Sequence, residues 1–291
     1  MSSSESTSAV FDAFRRLDDD AWLAVLVASV QQREIDGVEM PGFPSVPLQR
    51  ELHGHDGEVS IHEAHVFYRE IKAYCAYAGS PITSATALMD FGCGWGRMAR
   101  LFMKDIPPSQ LFGVETTSRF LMAARRANPC LAFLESELTP PLSMQAEALD
   151  TVVSWSVFSH FDEFLAGHWV REFHRLLRPG GMFVFTTQSR RFIAFCAEQR
   201  LRRASGMRLE HPWHDACADS FLDEALEFSR YEKGQFLYAS SAKPPHPQAH
   251  YGEAIIPRNY IIKVWGHLFR LVEYMDNPAR LPQVLVVLQK I

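Results

Sequence analysis

Hydrophobic positions recur at helical spacing over residues 9–36, where Val10, Phe11, Phe14 and Leu17 are followed by Trp22, Leu23, Leu26, Val27 and Val30. Asp18-Asp19-Asp20 interrupts that pattern and predicts the N-terminus of a second helix, where carboxylates meet open backbone N–H groups. Residues 37–59 hold Gly37, Pro41, Gly42, Pro44, Pro47, Gly54 and Gly57, and predict a loop that wraps over something. Ser60-Ile61-His62-Glu63 has the S-x-x-E form of a capping box. It is expected to open a helix with Phe67, Tyr68, Ile71, Tyr74 and Cys75 on one side, ending at Gly79-Ser80-Pro81.

Beyond that point the rhythm changes. Short apolar runs at 87–91, 111–115, 131–134, 151–155 and 182–186 alternate with helical stretches at 98–103, 119–127 and one ending at Leu177. The stop after Leu177, Arg178-Pro179-Gly180-Gly181, combines a cation, a helix breaker and two permissive glycines. Buried strands alternating with helices predict an α/β fold with a parallel sheet covered on both faces. In the tail, 190–203 and 258–266 read as helices. Residues 235–240 and 251–256 read as strands around Lys243-Pro244-Pro245-His246-Pro247, and 269–274 and 283–288 as two more. The last two are joined by about eight residues, too few for a helical crossover, so they are expected to be antiparallel.

Composition narrows the classes. The 291 residues are 47% hydrophobic and 22% charged, as in an ordinary soluble domain, and the 29 basic and 34 acidic residues leave a formal charge of −5. A nucleic-acid partner is therefore not expected. Cys75, Cys93, Cys130, Cys196 and Cys217 are scattered and contain no C-x-x-C, which argues against a disulfide framework or a cysteine zinc site. The Ser-rich start carries neither a basic n-region nor an apolar h-region, and the longest apolar stretch near it, 21–30, is about half a membrane span. The expectation is a cytoplasmic protein with no membrane partner.

The chemistry concentrates in Asp90-Phe91-Gly92-Cys93-Gly94-Trp95-Gly96-Arg97, a glycine turn between a strand and a helix. Such a turn lets a ligand approach the backbone. Glu115, 19 residues beyond Gly96, ends the next strand, where a carboxylate can accept from both ribose hydroxyls of a nucleoside. His160 lies just past the fourth strand, at the edge where open α/β sheets bind ligands. Histidine changes charge near neutrality, which suits a general base, and a loop-orienting role is the alternative.

The turn resembles motif I (D-x-G-C-G-x-G) of the class I S-adenosylmethionine-dependent methyltransferases. Gly113-Val114-Glu115 is similar to that family's second motif, residues 151–161 to its fourth, and residues 176–185 to its post-catalytic strand. Ser156-Val157-Phe158-Ser159-His160-Phe161 is similar to methyltransferases of small-molecule, sugar and secondary metabolism. The resemblance covers roughly residues 82–190 and 257–291. It implies a Rossmann-like, seven-stranded, mostly parallel sheet with an antiparallel last strand. It further implies a helical cap at 1–80 (1–8 disordered), a cofactor core at 81–190, a substrate-side insert at 191–256, and a last helix with two antiparallel strands at 257–291.

The cofactor would be S-adenosylmethionine, with S-adenosylhomocysteine as product. Asp90, Gly92, Cys93, Gly94, Gly96 and Arg97 would hold its methionine part, Glu115 its ribose, Thr116 its adenosine side and Glu137 its adenine. Ser154 and Trp155 would face the methyl group or substrate, and Tyr68, His160 and Tyr251 the acceptor. That acceptor would be a small molecule methylated on oxygen or nitrogen. The family's D/N-P-P-[YF] motif for nucleic-acid bases is replaced by Ser154-Trp155-Ser156-Val157.

Other signals have plainer readings. His53, His55, His62 and His65 with Asp56, and His211 and His214 with Asp215, read as solvated or hydrogen-bonding histidines, and no metal is expected. Arg190, Arg191, Arg200, Arg202, Arg203 and Arg208 read as a solvated helix face, with anion binding as the alternative. Two rivals remain: a nicotinamide-dependent oxidoreductase, disfavoured because the third glycine of G-x-G-x-x-G comes one residue early, and a non-catalytic relative that keeps the fold for binding.

Overall fold

The computed structural model describes residues 9–240 and 251–291. The disorder expected at 1–8 and the turn at 243–247 lie outside the described residues. A seven-stranded sheet is built from β1 (Leu88–Phe91), β2 (Leu111–Glu115), β3 (Ala132–Glu135), β4 (Leu149–Ser154), β5 (Leu177–Thr187), β6 (Phe269–Met275) and β7 (Val284–Lys290). Its order is β6-β7-β5-β4-β1-β2-β3. β1 pairs in parallel with β2 and β4, β2 with β3, and β6 with β7 antiparallel, as the short connection requires. Each strand expected from the apolar runs is present, and the register sets Asp90 opposite Gly113 and Val153.

The chain forms two compact units, one of residues Met1–Trp155 with Arg175–Val184, the other of Ser156–His174 with Phe185–Ile291. In the first unit, helices α1 (Ala9–Phe14), α2 (Asp19–Ala28), α3 (Val46–His53) and α4 (Gly57–Tyr77) precede the sheet, and α5 (Arg97–Leu101) and α6 (Ser118–Ala127) lie between its strands. Asp18 caps α2 as expected, its side chain accepting from Ala21 N–H at 2.7 Å. Trp22, fully buried, donates its indole N–H to Leu101 O at 2.8 Å and ties α2 to the end of α5.

The first helical region departs from expectation. α2 stops at Ala28, and Glu34–Ile35 pairs with Val38–Glu39 across Asp36 (φ 51°) and Gly37 (φ 77°). Asp-Gly with both residues left-handed is a two-residue hairpin turn, which overrides the helical spacing around it. α3 is a further correction. The proline at 47 lies at the start of that helix, where its missing N–H costs nothing, and Gly54 (φ 75°) ends it.

α4 runs 21 residues and buries Ile61, Ala64, Phe67, Tyr68, Ile71 and Cys75, one stripe at helical spacing. It starts at Gly57, so Ser60 and Glu63 lie inside it and form no capping box. On its buried side Lys72 sits 2.6 Å from Asp19 and 3.0 Å from Asp105, and Lys104 lies 2.9 Å from each carboxylate. Burial pushes Asp19 up, but the two ammoniums and the Tyr68 hydroxyl override it and hold its pKa at about 2. That stabilisation is present above the ordinary aspartate range and is lost as pH falls from about 4 towards 2. Asp19→Asn should therefore lower the urea midpoint at pH 7, and the gap from wild type should narrow at pH 3. A gap that stays constant with pH would contradict this account.

The second unit holds α7 (Glu163–Leu176), α8 (Arg191–Ala204), α9 (Pro212–Ala218), α10 (Glu224–Glu232) and an antiparallel hairpin, Leu237–Ser240 with Gly252–Ile255. The expected helix over 258–266 is a single α turn, Arg258–Tyr260, passing into a π-helical stretch, Ile261–Trp265. Phe192, Ile193, Cys196, Cys217, Phe221, Leu237 and Ile255 form one apolar core of this unit. Among the described residues no helix is long and apolar enough to cross a membrane.

Candidate active site

The glycine turn is built by the sheet register. β1 ends at Phe91, the chain turns through Gly92 (φ 71°), Gly94 (φ 55°) and Gly96 (φ 83°), and α5 begins at Arg97. A Cβ on Gly96 would lie 2.8 Å from Asn128 Nδ2 and 2.9 Å from the Phe133 ring, so both backbone and space demand glycine there. Gly92 and Cys93 N–H donate to Val114 O at 2.8 and 3.0 Å, pinning the turn to the end of β2.

Glu115 stands at that end. Its Oε2 accepts from Gly94 N–H at 2.9 Å, and its Oε1 from Thr116 and Thr117 N–H at 2.9 Å each. Burial raises its pKa, and these backbone bonds oppose the rise. Asp90, 2% exposed, accepts from Ala99 N–H at 3.1 Å and is pushed up to about 7 by burial, against the pull of Arg97. Cys93 is buried beside it with its thiol pushed well up, a filler with no thiolate character.

The cap supplies the rest of this region. α3 packs on the turn, with Leu52 Cδ1 3.5 Å from where a Gly94 Cβ would sit. Arg97, on the far side of the turn, donates from Nη1 to Ser60 O (3.1 Å), Ser60 Oγ (3.2 Å) and Glu63 Oε2 (2.8 Å). The S-x-x-E pair therefore anchors an arginine instead of a helix end. The Arg97 Cζ lies 4.6 Å from the Trp155 ring centre, and Phe67 packs on the same ring at 5.0 Å.

Two expected contacts take other roles. Tyr68 is fully buried, its hydroxyl 2.9 Å from Asp19 and 2.5 Å from Asp105, so it belongs to the cap's charge network and not to an acceptor surface. Ser154, also fully buried, donates to Phe91 O at 3.1 Å and ties β4 to β1 instead of facing a ligand.

Residues 88–181 match the family described as "Methyltransferase domain". Those residues form a methyltransferase domain. It is 23% identical over 168 residues to the trans-aconitate 2-methyltransferase of Paracidovorax citrulli, covering 57% of this chain and 61% of that protein. To the protein of that name from Acidovorax sp. strain JS42 it is 30% identical over 99 residues, 33% of this chain and 35% of that one. The chain thus spans about 61% or less of the length of these relatives. An S-adenosylmethionine-dependent methyltransferase from Mesorhizobium loti has the same fold, with a TM-score of 0.53 at 15% identity over 77% of this chain and 98% of that one.

The methyltransferase core fits the family's cofactor on its own atoms. A carboxylate offers four lone-pair sites, and the three backbone N–H groups leave Glu115 Oε2 able to accept once more, as a ribose hydroxyl requires. Past β3, Ser136 donates its N–H to Glu115 O at 3.2 Å, while its Oγ is buried with no partner among the described residues. Glu137, the expected adenine contact, is exposed, and Thr116 is exposed beside Glu115. Ser136 is thus a better candidate than Glu137. The sequence signal for it was position alone, the residue following the third strand.

In the second unit, His160 Nδ1 lies 2.8 Å from Gly252 O and 3.7 Å from Glu253 Oε1, and its ring stacks on Tyr251 at 4.7 Å and 10°. A carbonyl only accepts, so Nδ1 carries a proton toward Gly252 O, and Nε2 is the ring nitrogen left to act as an acceptor. Glu253, 1% exposed, accepts from Gln188 Nε2 (3.0 Å) and from Trp213 Nε1 (2.6 Å). Burial pushes the Tyr251 phenol up, so it stays protonated. The sequence missed Glu253, since nothing in a short strand of the insert marks a carboxylate as a neighbour of His160.

Ser156 (φ 58°) opens this segment in the left-handed region, its N–H donating to Thr186 Oγ1 at 2.8 Å. Strain held by such bonds is typical of functional sites. A cleft of about 670 Å³ lies against α7, lined by Asp162, Phe164, His168, Tyr238, Tyr260 and Trp265 among others. None of the residues expected at the site lines it.

Proposed function

We propose that the protein transfers the methyl group of S-adenosylmethionine to an oxygen or nitrogen of a small molecule of the sugar or secondary-metabolite kind, with His160 as general base. The observation that carries this reading is the tautomer fixed at His160. Its Nδ1 is committed to Gly252 O, so Nε2 is the atom that can take a proton. The Glu253 carboxylate, 3.7 Å from Nδ1, stabilises the imidazolium that results. The bound cofactor supplies a sulfonium-activated methyl carbon, and the chain has to align a nucleophile with it and remove a proton. The net charge of −5 and the absence of a D/N-P-P-[YF] sequence support a small molecule over a nucleic acid.

Calorimetry with S-adenosylhomocysteine and with NAD tests the cofactor, and incubation of a metabolite extract with methyl-labelled donor tests the acceptor class. S-adenosylhomocysteine should bind, NAD should not, and label should enter the small-molecule fraction. Binding of NAD alone would replace the reading with the oxidoreductase rival. Label in macromolecules alone would move the acceptor to another class.

A further inference from the structure

Three buried side-chain nitrogens around the glycine turn have no partner among the described residues: His53 Nε2, Trp95 Nε1 and Arg97 Nε. Buried donors are ordinarily satisfied, and Trp95 Nε1 and Arg97 Nε are donors without an acceptor, so this pair points to a ligand that accepts hydrogen bonds. Arg97 is the most informative of them. Its side chain is 7% exposed, and all three of its hydrogen bonds leave from Nη1 toward Ser60 and Glu63. Among the described residues neither Nε nor Nη2 has a partner. Those two nitrogens form the parallel pair of N–H donors that a carboxylate meets in bidentate fashion.

The remaining contacts fix the guanidinium while Nε stays buried with no partner among the described residues. Trp155 takes the guanidinium face and α4 takes the Nη1 corner. His53 is neutral, its pKa pushed well down by burial and by the Arg97 charge, and it stands beside Gly94 with its Cε1 4.0 Å from a Cβ position there.

We propose that the Nε–Nη2 edge of Arg97 receives a carboxylate of the methyl acceptor, as a recognition handle distinct from the atom that is methylated. The acceptor is favoured over the cofactor's own carboxylate because Arg97 is held from the cap and stacks on Trp155. It makes no bond to Glu115 or to the backbone of the turn. The proposal rests on the methyltransferase reading and narrows its acceptor to one bearing a carboxylate.

The test uses the full-length protein saturated with S-adenosylhomocysteine, whose binding is measured first. Failure at that step would overturn the methyltransferase reading itself, and the proposal with it. The Arg97 Nε–Hε resonance of nitrogen-labelled protein is then followed as malonate is titrated against chloride at matched ionic strength. A saturable shift of that resonance is expected with malonate and not with chloride. In Arg97→Lys, which keeps the charge and loses the fork, malonate affinity should fall at least about tenfold while S-adenosylhomocysteine affinity holds.

No saturable shift would overturn the proposal. So would an Arg97→Lys protein that loses S-adenosylhomocysteine affinity but binds its decarboxylated analogue normally, because the carboxylate would then be the cofactor's own. If Arg97→Lys does not fold, the wild-type titration decides alone.

Discussion

Replacing His160 by glutamine is expected to lower kcat by about 10²–10⁴-fold on a hydroxyl acceptor, the range a positioned general base contributes. The Nδ1 contact to Gly252 O leaves Nε2 as proton acceptor, and the stack on Tyr251 fixes the ring plane. Glutamine preserves a polar group of similar reach but cannot take a proton. Affinity for S-adenosylhomocysteine should barely move, because Asp90, the glycine turn and Glu115 are untouched. A folded His160→Gln protein with unaltered kcat would leave His160 as the residue that orients the loop after β4. Glu253→Gln gives an independent reading, since it keeps an acceptor for Trp213 but removes the charge near the imidazole.

Glu115→Ala is expected to weaken S-adenosylhomocysteine binding by about 10- to 150-fold, the loss of roughly 1.5–3 kcal/mol for hydrogen bonds to a charged acceptor. The same substitution releases Gly94, Thr116 and Thr117 N–H groups, so part of the loss would come from a looser turn. Glu115→Gln separates the two effects, because its amide oxygen still accepts while the charge is gone. Burial raises the Glu115 pKa, so its proton returns at a higher pH than for a glutamate in water. Wild-type affinity should therefore decline as pH falls into the weakly acidic range, and the Gln variant should lack that part of the decline. Calorimetry of both proteins across pH checks it. Equal affinity in wild type and a folded Ala variant would place the nucleoside elsewhere.

Legibility from sequence was high where local chemistry and tertiary role agreed. Four of the five apolar runs became strands buried on both faces, the third, Ala132–Glu135, is an edge strand with only Phe133 buried, and the antiparallel end followed from a connection too short to cross over. It was poor where one signal served another purpose. Ser60 and Glu63 read as a helix cap, yet the helix starts three residues earlier and the pair holds an arginine 34 and 37 positions away. Pro47 read as a loop breaker and instead starts α3. Tyr68 read as a recognition aromatic, but only long-range contacts with Asp19 and Asp105 reveal a buried charge network. Ser136 had only its place after the third strand to mark it and Glu253 had nothing, because what distinguishes them, an orphaned hydroxyl and a buried carboxylate beside a histidine, is a property of packing.

The segment after β4 and the second strand of the insert hairpin are stitched together. Gly252 N–H donates to His160 O at 3.0 Å, Ala254 N–H to Ser159 O at 2.7 Å, and Phe161 bridges Tyr251. These are main-chain bonds, indifferent to side-chain identity, so the two segments share one position through most substitutions. For anyone building chimaeras, the smallest exchangeable cassette then contains two pieces far apart in sequence. An insert transplanted from a relative without residues 156–161 would bring a foreign strand to a native loop, and the imidazole would lose the carbonyl that sets its proton.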